Sequence, residues 1–385
     1  MATKTDVVVT TIFEPAWLEG YLHSFRENGH DDDVTLRIIV DKKTPNSVFD
    51  AVRAAKADGY RIDCPTLDEQ VQYLARLGLD DGFIPWNTDN RRNIGFLRAW
   101  ENEADVLISI DDDNYCKPGC DFIGEHHVVG SHLADDDNIE YASGGAWYNI
   151  CERLSSQLDD AFYARGFPYY ARSGGQDARL GGAPESCSEM PVAVNAGLWL
   201  DDPDVDAASR LVQGPRVREA QERSLVLAPE TWSPINTQNT ALIREAIPAY
   251  YYVRMGFPLG GMKIDRFGDI LSGYFLQKCA KQMSHAIRFG GPVADHRRSP
   301  HNLFKDLFHE LAGMVVVEDF LPWLQELQLR ETSYAALYGE LAEAISSQAD
   351  SFEGFIWDDG GRDFLKETAA CMRTWLNTIE TIGRA

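Results

Sequence analysis

Short apolar runs recur through the first hundred residues, each closed by polar or turn-forming positions. Asp6-Val7-Val8-Val9-Thr10-Thr11-Ile12 reads as a strand, and Pro15 to Phe25 carries helical spacing. Val34 to Val40 is a second strand that ends at Asp41 and the polar turn Lys42-Lys43-Thr44-Pro45. Asn46 to Gly59 predicts a helix, residues 66–80 another, Phe83 to Trp86 a short strand, and Arg91 to Trp100 a further helix. Strands alternating with helices predict an α/β fold on a mostly parallel sheet.

Residues 140–300 are less regular and rich in Gly, aromatic residues and turns. They include Arg165-Gly166-Phe167-Pro168-Tyr169-Tyr170-Ala171-Arg172, a Gly-rich segment near 173–183, and Gly197-Leu198-Trp199-Leu200. Loops of this composition suit the acceptor side of a sugar site. From about Leu303 the pattern is helical, through Phe320-Leu321-Pro322-Trp323-Leu324 and Tyr334 to Ile345, with Pro322 expected in the first turn of its helix. The division expected is a domain over 1–300 and a helical extension over 301–385, with no internal repeat.

The richest segment is Val106-Leu107-Ile108-Ser109-Ile110 running into Asp111-Asp112-Asp113-Asn114. A short buried strand delivers three carboxylates to its C-terminal end, where ligands sit in open α/β sheets. Adjacent like charges repel, and a divalent cation carrying a nucleotide diphosphate would neutralise them. Two other triplets, Asp31 to Asp33 and Asp135 to Asp137, follow no strand and read as solvated loop charge.

The net charge of −24 disfavours nucleic acid and anionic membranes as partners. No apolar run approaches a membrane span, the N-terminus has no signal-peptide core, and seven scattered cysteines read as reduced thiols, so a cytoplasmic protein is expected. Cys116 and Cys120 lie close in sequence, but nothing completes a zinc site around them. Neither Gly-x-Gly-x-x-Gly nor a P-loop follows the first strand, so NAD and flavin are not expected and anion binding falls to a metal and arginines.

In order along the chain, these segments resemble the reversibly glycosylated polypeptides, or UDP-arabinopyranose mutases, a glycosyltransferase-A-like family. The resemblance rests on the strand with Asp111 to Asp113, on Arg165 to Arg172, and on Gly197 to Leu200 with Pro203, Asp204 and Asp206. Asn239, Arg266-Phe267-Gly268-Asp269, His296 and Arg92-Asn93-Ile94-Gly95-Phe96 continue it. The chain departs from the family pattern where Gly268-Asp269 replaces two adjacent acids, where Asn114 replaces a Cys, and where Ile94 replaces an aromatic. Bacterial members of similar sequence include mutases of GDP-linked deoxyhexoses in natural-product pathways, so GDP and UDP are both open.

The resemblance implies roles. Asp111 would reach the ribose and join Asp113 at Mn²⁺ or Mg²⁺, with His296 of the polar basic loop Asp295-His296-Arg297-Arg298-Ser299 as third ligand or as a structural histidine. Thr10, Asp41, Arg92 and Asp112 would contact the nucleotide, although Asp41 equally suits a turn cap and Arg92 an exposed charge paired with nearby acids. Arg297 and Arg298 fit either the diphosphate or the surface. Arg165 matches the arginine that carries a sugar reversibly in the family. Guanidinium is a poor nucleophile, so Arg165 and Arg172 could instead hold the departing diphosphate electrostatically. Asp269 would act as acid or base in ring opening, or cap the helix over Ile270 to Lys281.

The resulting expectation is a metal-dependent, non-redox pyranose–furanose mutase of a nucleotide sugar, with a homo-oligomer compatible. A glycosyltransferase and a non-catalytic nucleotide-sugar-binding subunit are the rivals.

Overall fold

The computed structural model describes residues 3–80, 82–133, 138–173, 177–187, 189–298 and 302–384. The first half of the chain forms strands β1 (Thr5–Thr11), β2 (Val34–Val40), β3 (Ile62–Asp63), β4 (Val106–Asp111), β5 (Asn114–Cys116), β6 (Ile139–Ser143), β7 (Leu154–Ser156) and β8 (Arg179–Gly181). The second half adds β9 (Val192–Asp201), β10 (Val217–Ala220), β11 (Ser224–Leu227), β12 (Asn239–Ile243), β13 (Phe257–Leu259), β14 (Met262–Ile264) and β15 (Ala286–His296). The helices are α1 (Leu18–Glu27), α2 (Asn46–Ala57), α3 (Leu67–Arg76), α4 (Arg92–Glu101), α5 (Phe122–His126), α6 (Ala207–Gln213), α7 (Gly268–Gln282), α8 (Leu303–Glu326), α9 (Tyr334–Gln348) and α10 (Arg362–Gly383).

Among the described residues one large sheet runs β3-β2-β1-β4-β12-β9-β15-β11-β6-β8. Its first four strands are parallel and Rossmann-like, with β1 between β2 and β4. Beyond β4 the sheet becomes mixed: β12 is antiparallel to β4 and β9, whereas β9 and β15 are parallel. Both faces of β1 are buried, Val8 in one apolar cluster and Val7 and Val9 in the other. That is why the strand reads as a continuous apolar run.

The C-terminal helices pack on α4, α7 and the turn at 244–249. The Trp375 indole donates to the Pro248 carbonyl at 3.0 Å, and Trp100 donates to Ile379 at 3.1 Å. The α/β architecture with a C-terminal helical extension is therefore as the sequence predicts.

Three local expectations are corrected. Phe83 to Trp86 is a turn and not a strand, since Phe83 and Ile84 are buried as side chains without joining the sheet. Pro322 lies near the end of α8 and not in its first turn, because the helix starts at Leu303 behind an Asn302 cap. His296 ends β15 and does not lie in a loop. Asp135 to Asp137 and part of the 173–183 segment fall outside the described residues.

Candidate functional site

β1, β2 and β4 end beside a cavity of about 340 Å³, with Thr10, Thr11, Asp41 and Asp111 to Asp113 on its wall. Carboxyl ends of parallel strands are the usual place for such a crevice. The residues expected from the sequence line it except Arg172 and Arg297.

Arg92 stands at the start of α4, and Gly95 lets that helix lie directly on β1. A Cβ at Gly95 would stand 2.3 Å from Val8 Cγ1. The buried Arg92 guanidinium donates to Ser109 Oγ at 2.7 Å, Ile110 O at 2.8 Å, Thr237 O at 3.1 Å and Thr10 Oγ1 at 3.3 Å, and it pairs with Asp111. Thr10 is thus tied to this arginine. Arg92 is thus a buried latch on Asp111 and not the exposed charge of the alternative reading.

The three acids feel one another and their burial. Burial pushes the Asp112 carboxyl up to about 7, with Asp113 and Asp111 adding to it against the Thr11 hydroxyl bond of 2.6 Å. Burial also raises Asp111, despite Arg92. Burial would raise Asp113 too, but the hydrogen bond and charge of His296 hold it below the usual carboxylate range.

His296 Nδ1 bonds the Asp202 carbonyl and must be the protonated nitrogen there. Its Nε2 faces Asp113 Oδ2 at 3.3 Å. A carbonyl-fixed tautomer that turns Nε2 toward a carboxylate is how proteins present imidazole to a metal. The pair fits a hard divalent cation in donor chemistry. Among the described residues, however, no group of three or more His, Cys, Asp or Glu is placed to hold one. Of the expected set Asp111, Asp113 and His296, Asp113 and His296 face each other, while one oxygen of Asp111 is paired with Arg92.

Opposite the acids stands Arg165, brought in by Gly166 at φ 86°, where a Cβ would meet Ile270 Cγ2 at 2.3 Å. Its Nε and Nη2 donate to Asp204 at 2.9 and 3.0 Å, and its Nη1 and Nη2 to Asp269 at 3.0 and 2.6 Å. A remaining Nη1 hydrogen goes to the Arg266 carbonyl. All five N–H groups are engaged. Although burial opposes the Arg165 cation, Asp204 and Asp269 raise its pKa well above the ordinary arginine value. Asp269 lies in the first turn of α7 but caps nothing; its carboxylate serves Arg165.

Arg172, expected beside the diphosphate, is elsewhere. It pairs with buried Asp206 at 2.7 Å, donates to the Phe167 carbonyl at 3.1 Å, and stacks on Tyr169 at 3.7 Å. These contacts brace the 165–172 loop.

A family model described as reversibly glycosylated polypeptide matches residues 2–383. The chain belongs to that family. A probable UDP-arabinopyranose mutase 4 of Arabidopsis thaliana is 28% identical over 313 residues, 80% of this chain and 75% of that protein. UDP-arabinopyranose mutase 2 of the same plant is 26% identical over 72% of this chain and 69% of its own. A probable mutase 1 of Pisum sativum is 28% identical, but the match spans only 54% of its length. Weaker likenesses in shape join a mannosyltransferase of Pyrobaculum calidifontis in complex with GDP-Man and Mn²⁺ (TM-score 0.39, 11% identity, 97% and 86% covered). Another joins a Mycobacterium tuberculosis glucosyl-3-phosphoglycerate synthase with Mn²⁺ and UDP-glucose (TM-score 0.36, 13% identity, 82% and 79% covered).

Several wall residues carry no role in the sequence analysis. Asp204 shares Arg165 with Asp269 and is steadied by Asn236 at 2.8 Å. It had been quoted for the resemblance alone. Arg210 and Arg266 also line the cavity with Arg298, while Arg297 is exposed, pairs with Asp295 at 2.7 Å and stacks on Tyr115. Asp41 accepts the Lys42 and Asn87 amides, both at 2.6 Å, so it caps its turn while lining the wall. Asn239 is a buried structural bridge between His126 and the Pro292 carbonyl. Among the described residues no helix is long and apolar enough to cross a membrane.

Proposed function

We propose that this protein is a nucleotide-sugar mutase that interconverts pyranose and furanose forms of a UDP- or GDP-linked sugar on a glycosyltransferase-A-like domain. The observation that carries the reading is one cavity lined by the Asp113–His296 pair and by the Arg165–Asp204–Asp269 clamp. The family relationship to mutases supports it. Residues 1–300 would hold this site and 301–385 would support it.

The two ring forms share one oxidation state, so no electrons need to move. The bond between C1 and the diphosphate oxygen breaks, leaving the electron pair on the nucleotide. A second sugar hydroxyl then bonds to C1, its proton passes to the former ring oxygen as that C1–O bond opens, and the same diphosphate oxygen closes on C1 again. Asp269 has lone pairs left beyond its Arg165 bonds and is the carboxylate that would relay the proton. Arg165 would counter charge near the sugar while staying a cation, since both of its partners are anions. Asp113 and His296 would hold Mn²⁺ or Mg²⁺, which would neutralise the departing diphosphate.

The test is incubation of purified protein and Mn²⁺ with a panel of UDP- and GDP-sugars without acceptor, followed by chromatography and NMR. A furanosyl nucleotide of unchanged mass, reached from both directions, is expected. Release of free nucleotide alone would replace this reading with a transferase, and metal-dependent binding without turnover on every sugar would replace it with a binding subunit.

A further inference from the structure

We propose that Arg266 and Arg298 form the diphosphate subsite of this cavity. The inference rests on reading the cavity as a nucleotide-sugar site. A diphosphate needs cationic N–H donors that face the cavity and are not already engaged.

The other arginines on the wall are held elsewhere, and Arg91 donates to the Ile84 carbonyl and to Gln70 and stacks on Trp86. Arg92 is committed to five acceptors, and every N–H of Arg165 has one. Each Arg210 nitrogen already donates, to Val205, Asp202 and Pro203. Arg266 uses only its Nε, toward Glu310 at 2.9 Å, and its Nη1 stands 3.9 Å from Asp306, beyond hydrogen-bond reach. Arg298 uses only its Nη2, toward Asp306 at 2.8 Å. Among the described residues, both Nη atoms of Arg266 and the Nε and Nη1 of Arg298 have no acceptor.

Two further observations agree. Arg266 sits at φ 55°, a left-handed backbone that strains a non-glycine residue and that clusters at ligand sites. Here the Arg266 carbonyl is held by Arg165 and its side chain by Glu310. The subsite also adjoins the Asp113–His296 pair, because the Arg297 amide donates to the Asp113 carbonyl at 2.8 Å.

The experiment is calorimetric binding of UDP and GDP, and of uridine and guanosine, with Mn²⁺ present. It compares the unmodified protein with Arg266→Gln, Arg298→Gln, their Lys counterparts and the exposed Arg216→Gln. The Gln variants should bind the preferred diphosphate about 10- to 100-fold more weakly with nucleoside affinity unchanged, Lys should restore part of the loss, and Arg216→Gln should do nothing. Diphosphate affinity within about threefold of the parent in both folded Gln variants overturns the subsite, as does an equal loss for nucleoside and diphosphate. Should Gln variants fail to fold because Glu310 is left buried, the Lys variants decide by the same ratio. A parent protein that binds neither diphosphate overturns both this and the nucleotide-sugar reading. The expected losses without isomerisation of any sugar remove the mutase reading alone.

Discussion

Asp113 Oδ2 and His296 Nε2 face each other at 3.3 Å across 183 residues of sequence. The Asp202 carbonyl holds the opposite ring nitrogen, so Nε2 is the one available to a cation or a proton. Asp113→Asn and His296→Gln should each lower turnover by about 100-fold and weaken Mn²⁺ binding in the presence of nucleotide. Turnover unchanged by either variant, and by chelator, would remove the metal role.

Arg165 balances two buried carboxylates, so its loss should be felt in stability before chemistry. Arg165→Ala leaves Asp204 and Asp269 uncompensated and should cost about 3–5 kcal/mol in urea unfolding. Arg165→Lys should fold better yet lose about 100-fold in kcat/KM, because an ammonium cannot make two bidentate pairs. Intact-mass spectrometry after incubation with nucleotide sugar should show no adduct at Arg165. An adduct mapped there would make its guanidine a nucleophile after all.

Arg172→Ala should act as a structural change. Asp206 is buried and would lose its partner, so a destabilisation of about 1–3 kcal/mol is expected. Kinetics on the folded protein should stay within about threefold of the parent, since Arg172 is outside the cavity. A selective fall in kcat with normal stability would return it to the site.

Acid should unfold this protein in a window that His126 helps to set. The ring is buried and neutral, accepting from Asn195 at 3.0 Å and donating to Asn239 at 2.9 Å; burial pulls its pKa down to about 3. Between about pH 6.5 and 3 the unfolded chain binds a proton that the folded chain refuses, so stability falls as pH falls, by up to about 1.4 kcal/mol per unit. Burial opposes the Asp204 carboxylate, but Arg165 more than offsets that and lowers its pKa below the usual range, so its contribution is present above the unfolded carboxyl pKa and lost on further acidification. Asp112 and Asp111, held above the usual carboxylate range by burial, pull the other way between pH 7 and 5. The His126 contribution is therefore read as the difference between the parent and His126→Gln in urea titrations at those two pH values, the parent losing more on acidification.

Gly95→Ala tests how the latch is seated. The added methyl would meet Val8 Cγ1 at 2.3 Å, so α4 must shift from β1 and carry Arg92 with it. A stability loss of about 1–3 kcal/mol and a raised KM for nucleotide sugar are expected, measured by thermal melts and kinetics. A parent-like melt and KM would show that the sheet yields instead.

Most of the candidate site was legible because its residues sit at strand ends. Val106 to Ile110 and the acids that follow announce themselves by an abrupt change from apolar to charged positions. Asp204, Arg210 and Arg266 carried no such local sign. They reach the cavity only because β9, α6 and the segment before α7 converge there. Arg172 misled for the converse reason, since a seven-residue spacing from Arg165 says nothing about which way a loop turns.

The order of strands and helices in the first hundred residues, and the presence of acids at the end of β4, follow from local periodicity and burial alone. Which arginines are free was decided by tertiary structure. A guanidinium has the same charge wherever it stands, but its use depends on how many carboxylates and carbonyls the fold brings within about 3 Å of its donors. Arg92 and Arg165 are engaged by partners from distant segments, whereas Arg266 and Arg298 retain uncommitted N–H groups on the cavity wall.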